Sequence, residues 1–144
     1  MILVDVNLLI YAIDRDSPHH AVARAWFERA LNGTDLVGLP WIVILAFLRL
    51  TTRAGILRKP MTVEQAMAYC QSWVDLGSVR IPVPGENHWP IFRNLLLSVG
   101  TAGNLTSDVH LAALALEYGC AICSTDNDFK RFPGVTHINP LNQP

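Results

Sequence analysis

Charge is scarce in this chain, and neither sign prevails. Of its 144 residues 16% are charged, 12 acidic against 11 lysine or arginine, for a formal net charge of −1. That balance excludes a protein that holds nucleic acid through a global basic field. It leaves room for an enzyme that meets phosphates locally through a metal ion. No apolar run approaches the roughly 18 residues that a membrane span requires. The apolar start, ILVDVNLLI, has no basic leader and carries Asp5 within it, so it does not read as a secretion signal. Cysteine is rare and odd in number at three, which rules out a closed disulfide framework. Cys120 and Cys123 form a CxxC pair, but GCAICST reads as an apolar strand, not the helix start at which a redox pair gains its lowered thiol pKa. Small buried thiols in a reducing compartment are the plainer reading, and a cytoplasmic location is the default expectation. Repeats, low-complexity tracts and linkers are missing too.

What is present is core material. A hydrophobic fraction of 51% over this length suits one domain with a proper core. Residues 2–5 read as a short buried strand and 7–13 as a short helix. Ser17-Pro18 pairs a cap residue with proline at the first helical position, predicting a helix through HHAVARAWFERALN that stops at Asn32-Gly33. Residues 36–39 suggest a second strand. Pro40 then opens WIVILAFLRLTT, apolar on nearly every side except Arg49, which predicts a well-buried helix. Thr62 and Gln65 form a capping box for a helix running to Leu76. A strand over 79–83 carries Pro82, a sign of an edge or a strand end. A helix follows over 88–99. Ser107 is placed to cap a helix over 108–118 that Gly119 ends, before a strand at 120–124. A turn and short helix at 126–131 lead to a last strand near 135–138. Alternating strands and helices predict an α/β class with a mostly parallel sheet covered on both faces.

The few carboxylates sit in telling places. In open α/β sheets, sites form at the carboxyl ends of the strands. Asp5 stands at the end of the first strand, Asp126 and Asp128 just past a later one, and Asp108 in the first turn of the helix between. Taken alone, Asp108 is a helix-start charge that complements the dipole, and Asp126 and Asp128 are turn residues. Asp5 is different, because an aspartate inside ILVDVNLLI is costly to bury unpaired. Asn7 either orients Asp5 or a bound water, or caps the short helix. Carboxylates crowded on one rim repel one another unless a cation joins them, and oxygen-only ligands favour Mg²⁺ or Mn²⁺ over zinc. Thr106, Ser107 and Thr125 could donate hydrogen bonds nearby, or serve as cap and turn residues.

DVN after a short N-terminal strand, a late SDVHLAALA helix, and an apolar strand entering STDNDF together resemble the PIN domain. The likeness extends to GLPW and FLRL and to the closing FPGV and NPL, and is strongest to the VapC toxins of VapBC toxin–antitoxin pairs. It implies a single PIN domain over residues 1–144, an α/β/α sandwich, and a metal-dependent endoribonuclease. Asp5, Asp108 and Asp126 are then the metal-holding catalytic positions, with Asp128 auxiliary and Mg²⁺ or Mn²⁺ as cofactor. The partners implied are an RNA substrate, a VapB-type antitoxin and a second copy of the chain in a homodimer. One departure stands out: the family usually adds a glutamate on the helix after the second strand, where this chain has Leu45-Ala46. Arg49, the only charge there, meets either substrate phosphate or a neighbouring carboxylate, or is paired for structure.

Two rivals remain open. Aspartyl phosphoryl transfer needs a second aspartate two positions after the first, and position 7 is Asn. A catalytically silent PIN-fold binding module, acting in complex assembly, draws its support from the missing glutamate. Arg53, Arg58 and Lys59 are candidates for guiding an RNA strand, although each is also an ordinary solvated cation. The tryptophans Trp26, Trp41, Trp73 and Trp89 read as core or dimer packing. His110 is expected to face away from Asp108, with too few nitrogen or sulfur partners for zinc, and His19 and His20 to be exposed first-turn residues.

Overall fold

The computed structural model describes residues 1–142; Gln143 and Pro144, the end of the expected single-domain span, lie outside the described residues. Five strands form one parallel sheet: β1 (Ile2–Val4), β2 (Val37–Gly38), β3 (Val79–Arg80), β4 (Ala121–Cys123) and β5 (His137–Ile138), in the order β3-β2-β1-β4-β5. Six helices connect them: α1 (Val6–Ile13), α2 (His20–Leu31), α3 (Trp41–Thr52), α4 (Val63–Val74), α5 (His88–Val99) and α6 (Thr106–Tyr118). The chain steps outward from β1 to β3, then returns past β1 to lay down β4. Right-handed crossovers in opposite directions put helices on opposite faces. The first four helices accordingly pack among themselves, and α5 packs on α6. No helix among the described residues is long and apolar enough to cross a membrane.

The central strands are buried on both sides, while Arg80 of the edge strand β3 is exposed and both residues of β5 are half-buried. Leu3, Val4, Val37 and Ile122 are wholly buried between the helix layers. Gly38 is required in β2: a Cβ there would meet Leu3 Cδ2 at 2.5 Å. Gly119 ends α6 in the left-handed region at φ 62°, as expected of a glycine after a helix. The capping box of α4 forms as read, with Gln65 N donating to Thr62 Oγ1 at 3.2 Å and Thr62 N to Gln65 Oε1 at 3.0 Å. Pro82 follows β3, which is an edge strand.

Four expectations need correction. Ser17-Pro18 does not start α2, which begins at His20 without a side-chain cap. The Ser17 hydroxyl instead accepts from His19 N at 3.1 Å, closing a turn before the helix. Ser107 lies inside α6, whose chain winds in from a 3-10 turn at Gly103–Leu105, so no side chain caps it. The helix α3 is not buried all round, since Trp41 and Leu45 are 55% and 56% exposed. His20 is not simply exposed: its Nδ1 lies 2.9 Å from Tyr11 O. The tryptophans divide likewise. Trp73 is buried edge-on to Phe27 and Phe47, at centroid distances of 5.5 and 5.0 Å, while Trp89 is 68% exposed.

Candidate active site

The strand order reverses between β1 and β4, and sites in open α/β sheets form at the carboxyl ends of the strands on either side of such a point. Each strand delivers an aspartate to it. Asp5 follows β1 and caps α1, its Oδ1 accepting from Val6 N at 2.8 Å. Its Oδ2 accepts from Ser124 Oγ at 2.7 Å. Ser124 follows β4 and is fully buried. The same hydroxyl accepts from Asp126 N at 2.9 Å and, more weakly, from Asn7 Nδ2 at 3.4 Å. Asp126 Oδ1 in turn accepts from Asp128 N at 2.8 Å, opening the 3-10 turn Asn127–Arg131. Ser124 thus ties the two strand ends together. Nothing in the sequence reading singled it out; a small hydroxyl residue that closes an apolar strand beside TDND was the available signal.

Asp108 arrives from the first turn of α6. One carboxylate oxygen from each of Asp108, Asp126 and Asp128 lies within 4.8 Å of the others, the one such cluster found among the described residues. Asp128, read as auxiliary, is therefore in the group. Asp5 falls outside that distance, its oxygens accepting from Val6 N and Ser124 Oγ. It stands close enough that its charge acts on Asp108. Burial above all, and then repulsion from Asp5, Asp126 and Asp128, pushes the Asp108 carboxyl up to about 7. Burial also pushes Asp5 up from its ordinary 3.8, against the opposing hydrogen bonds from Ser124 and Val6.

A hard divalent cation fits this donor set. All its donors are carboxylate oxygens, and opposite ligands on Mg²⁺ or Mn²⁺ stand about 4.2 Å apart at a metal–oxygen length of roughly 2.1 Å. No cation of the protein neutralises Asp108 or Asp126 among the described residues. Arg131 comes no nearer to Asp128 than 3.9 Å, on an exposed edge. Asn7 Oδ1 is a buried acceptor without a donor, an arrangement that an ordered metal-bound water would satisfy. Crowded, raised carboxyls and an orphaned acceptor are what a missing positive charge predicts.

The other expected residues divide. Arg49 is exposed in the last turn of α3 and forms no ion pair among the described residues, so neither the carboxylate-pairing nor the structural-pair reading of it holds. Arg53, Arg58 and Lys59 are exposed beyond the same helix. Thr106 opens α6 on the surface and Thr125 is half-buried after Ser124, and neither hydroxyl makes a side-chain hydrogen bond among the described residues. The helix α3 carries no carboxylate. A cleft of about 700 Å³ beside Met61, Thr62, Gln65 and Tyr69 contains none of the acidic cluster.

Residues 2–135 match the model of the PIN domain. Ribonuclease VapC37 of Mycobacterium tuberculosis is 41% identical over 140 residues, 97% of either chain. Ribonuclease VapC33 of the same species is 38% identical over 143 residues, covering 99% of this chain and 100% of that one. Among solved structures, VapBC2 from Rickettsia felis bound to a promoter DNA fragment superposes with a TM-score of 0.71 at 19% identity, over 96% of this chain and 98% of that one. The Mycobacterium tuberculosis sarcin-ricin loop cleaving toxin VapC20 gives 0.67 at 14% identity, over 90% and 93%. A parallel sheet with acidic residues at its switch point is thus that of a PIN domain, and the chain belongs to the PIN-domain family. Within it, the near full-length relatives are VapC ribonucleases.

Proposed function

We propose that this protein is an endoribonuclease of the VapC type, the toxic half of a toxin–antitoxin pair, which hydrolyses RNA phosphodiester bonds with Mg²⁺ or Mn²⁺. The observation that carries the reading is the meeting of Asp108, Asp126 and Asp128 oxygens within 4.8 Å at the carboxyl rim of the sheet. A divalent cation bound there would lower the pKa of a water, offset phosphate charge and line up the attack.

The chain's own residues set the conditions. Ser124 and the Asp128 amide hold Asp126 in one orientation, so little ordering is left for the moment of binding. Asp5 stands beside the cluster: its oxygens accept one hydrogen bond each, from Val6 and Ser124, and its charge adds to the repulsion that a cation at Asp108 would relieve. Asn7 offers Oδ1 to a water at the cluster. Without a cation the three carboxylates repel RNA. Arg49, Arg53, Arg58 and Lys59, all exposed, supply the local positive charge that guides the strand.

The relatives' association in VapBC complexes supports a VapB-type antitoxin as partner. Trp41 and Leu45, more than half exposed on α3, support an apolar face covered by such a partner or by a second copy in a homodimer. The site of action we infer is the cytoplasm. The absence of a carboxylate from α3 favours a second reading, a silent PIN-fold module that acts by assembly alone.

Cleavage of total RNA with Mg²⁺ or Mn²⁺ separates these. Wild-type protein is expected to cut, whereas Asp5→Asn, Asp108→Asn and chelated wild type are not. Equal cutting by all of them would remove the proposal, and a toxic effect that survives Asp108→Asn would establish the silent module in its place.

A further inference from the structure

We propose, on the reading of the acidic cluster as a divalent-cation site, that His137 is its positioning residue: the ring donates a hydrogen bond that the sheet cannot, and so fixes Ser124. Ser124 stands one residue past β4, where the sheet runs out of partners. On the β5 side, Ile122 N donates to Thr136 O at 2.9 Å and Ser124 N to Ile138 O at 3.0 Å. The register pairs Ile122 with His137 and Cys123 with Ile138. Continued one step, it makes the backbone nitrogen of residue 140 the donor for the Ser124 carbonyl. That residue is Pro140, which has no N–H to give. The ladder stops with an acceptor left over at the point from which the site is built.

His137 takes the missing donor's place. Its Nε2 lies 2.9 Å from Ser124 O. A carbonyl only accepts, so the proton sits on Nε2 and the ring donates. The neutral Nε2–H tautomer and the imidazolium both make this bond, so the role needs no titration. Phe129, fully buried, braces the ring by stacking on it at 6.1 Å, with 27° between the planes. Phe129 belongs to the 3-10 turn Asn127–Arg131, which offers Asp128 to the cluster. His137 thus holds the chain both before Asp126 and after it.

The consequence reaches the carboxylates through one serine. Ser124 is fully buried, and its carbonyl without a donor would turn the peptide toward water. Such a turn carries the Ser124 hydroxyl away from Asp5 Oδ2 and from Asp126 N, the contacts that align the two strand ends. Ligands that are no longer held in place bind a metal more weakly.

Mn²⁺ affinity, read from the electron spin resonance of the free ion, tests this without RNA. His137→Phe keeps a ring against Phe129 and removes the donor, and should weaken Mn²⁺ by about tenfold or more. His137→Gln, whose amide nitrogen stands as many bonds from the backbone as Nε2, should restore wild-type affinity. A merely structural histidine would cost stability in both variants and leave the affinity of the folded protein alone. Should His137→Phe not fold, His137→Asn, polar but too short to reach Ser124, takes its place with the same expectation. Ring ¹⁵N spectra of the wild type at pH 8 must show the His137 proton on Nε2. Unchanged affinity in the folded donorless variant, no recovery in His137→Gln, or a proton on Nδ1 would overturn the proposal. Wild type that binds no Mn²⁺ would remove the cation reading and this proposal with it. Wild type that binds Mn²⁺ but cuts no RNA would remove the ribonuclease reading alone.

Discussion

Stripped of divalent ions, the protein should lose stability as the pH rises from about 4 to 8. Asp108 is the source: its carboxyl sits at about 7 in the fold against 3.8 ordinarily. A raised acid binds more protons folded than unfolded between those values. Its contribution to stability is complete below the lower one and disappears as the pH passes the upper. The difference between those two values corresponds to roughly 4 kcal/mol. Asp108 is only half-buried, and solvent screening reduces that to about 2 kcal/mol. For a chain of this size the melting temperature should then drop by roughly 6 °C. Asp5, raised in the same direction, adds to the fall. Thermal melts followed by circular dichroism in chelator, at pH 5, 6, 7 and 8, measure it. Asp108→Asn cannot titrate, so the wild-type curve should approach and cross that of the variant as the pH rises. Excess Mn²⁺ at pH 8 should restore the loss in wild type and do less for the variant. Parallel wild-type and variant curves across this range would refute the charge repulsion on which the site rests.

Ser124→Ala should lower RNA cleavage by roughly 10- to 100-fold, as loss of an outer-shell partner does, and should also cost about 1–3 kcal/mol in urea because Asp5 Oδ2 loses its donor; unchanged activity would deny the serine its role. Gly38→Ala should cost about 1–3 kcal/mol in the same assay by driving a methyl into Leu3, and an unmoved urea midpoint would count against the close packing of β1 on β2. Thr62→Ala should remove about 1 kcal/mol from the capping box of α4, leaving cleavage as it was, since neither Thr62 nor Gln65 belongs to the acidic cluster.

Where a signal is local, the chain announced its structure. Thr62 and Gln65 define a helix start by reaching for each other's backbone, and Gly119 marks an end by its freedom at positive φ. Asp5 betrayed a site because its burial cost cannot be hidden among ILV and LLI. Local signals misled where two local structures compete: the Ser17 hydroxyl satisfies a turn as readily as a helix. Hydropathy along α3 described the helix without its surroundings, so the exposure of Trp41 and Leu45 was invisible. Contacts across long separations were beyond reach altogether. Asp5 meets Ser124 over 119 residues and His88 meets Glu117 over 29, and no spacing rule connects either pair. The meeting of Asp128 with Asp108 and Asp126 is of the same kind, for it depends on how α6 and the turn after β4 come together.

The pairing of β1 with β4 has a consequence for biosynthesis. Asp5 and the strand end that anchors it lie 119 residues apart, so the anchor is always made well after the aspartate. Chains that stall or are cut before Ser124 would lack the hydroxyl that aligns Asp5 and Asp126. Such a product would also lack Asp126 and Asp128, so the acidic cluster could not assemble in it.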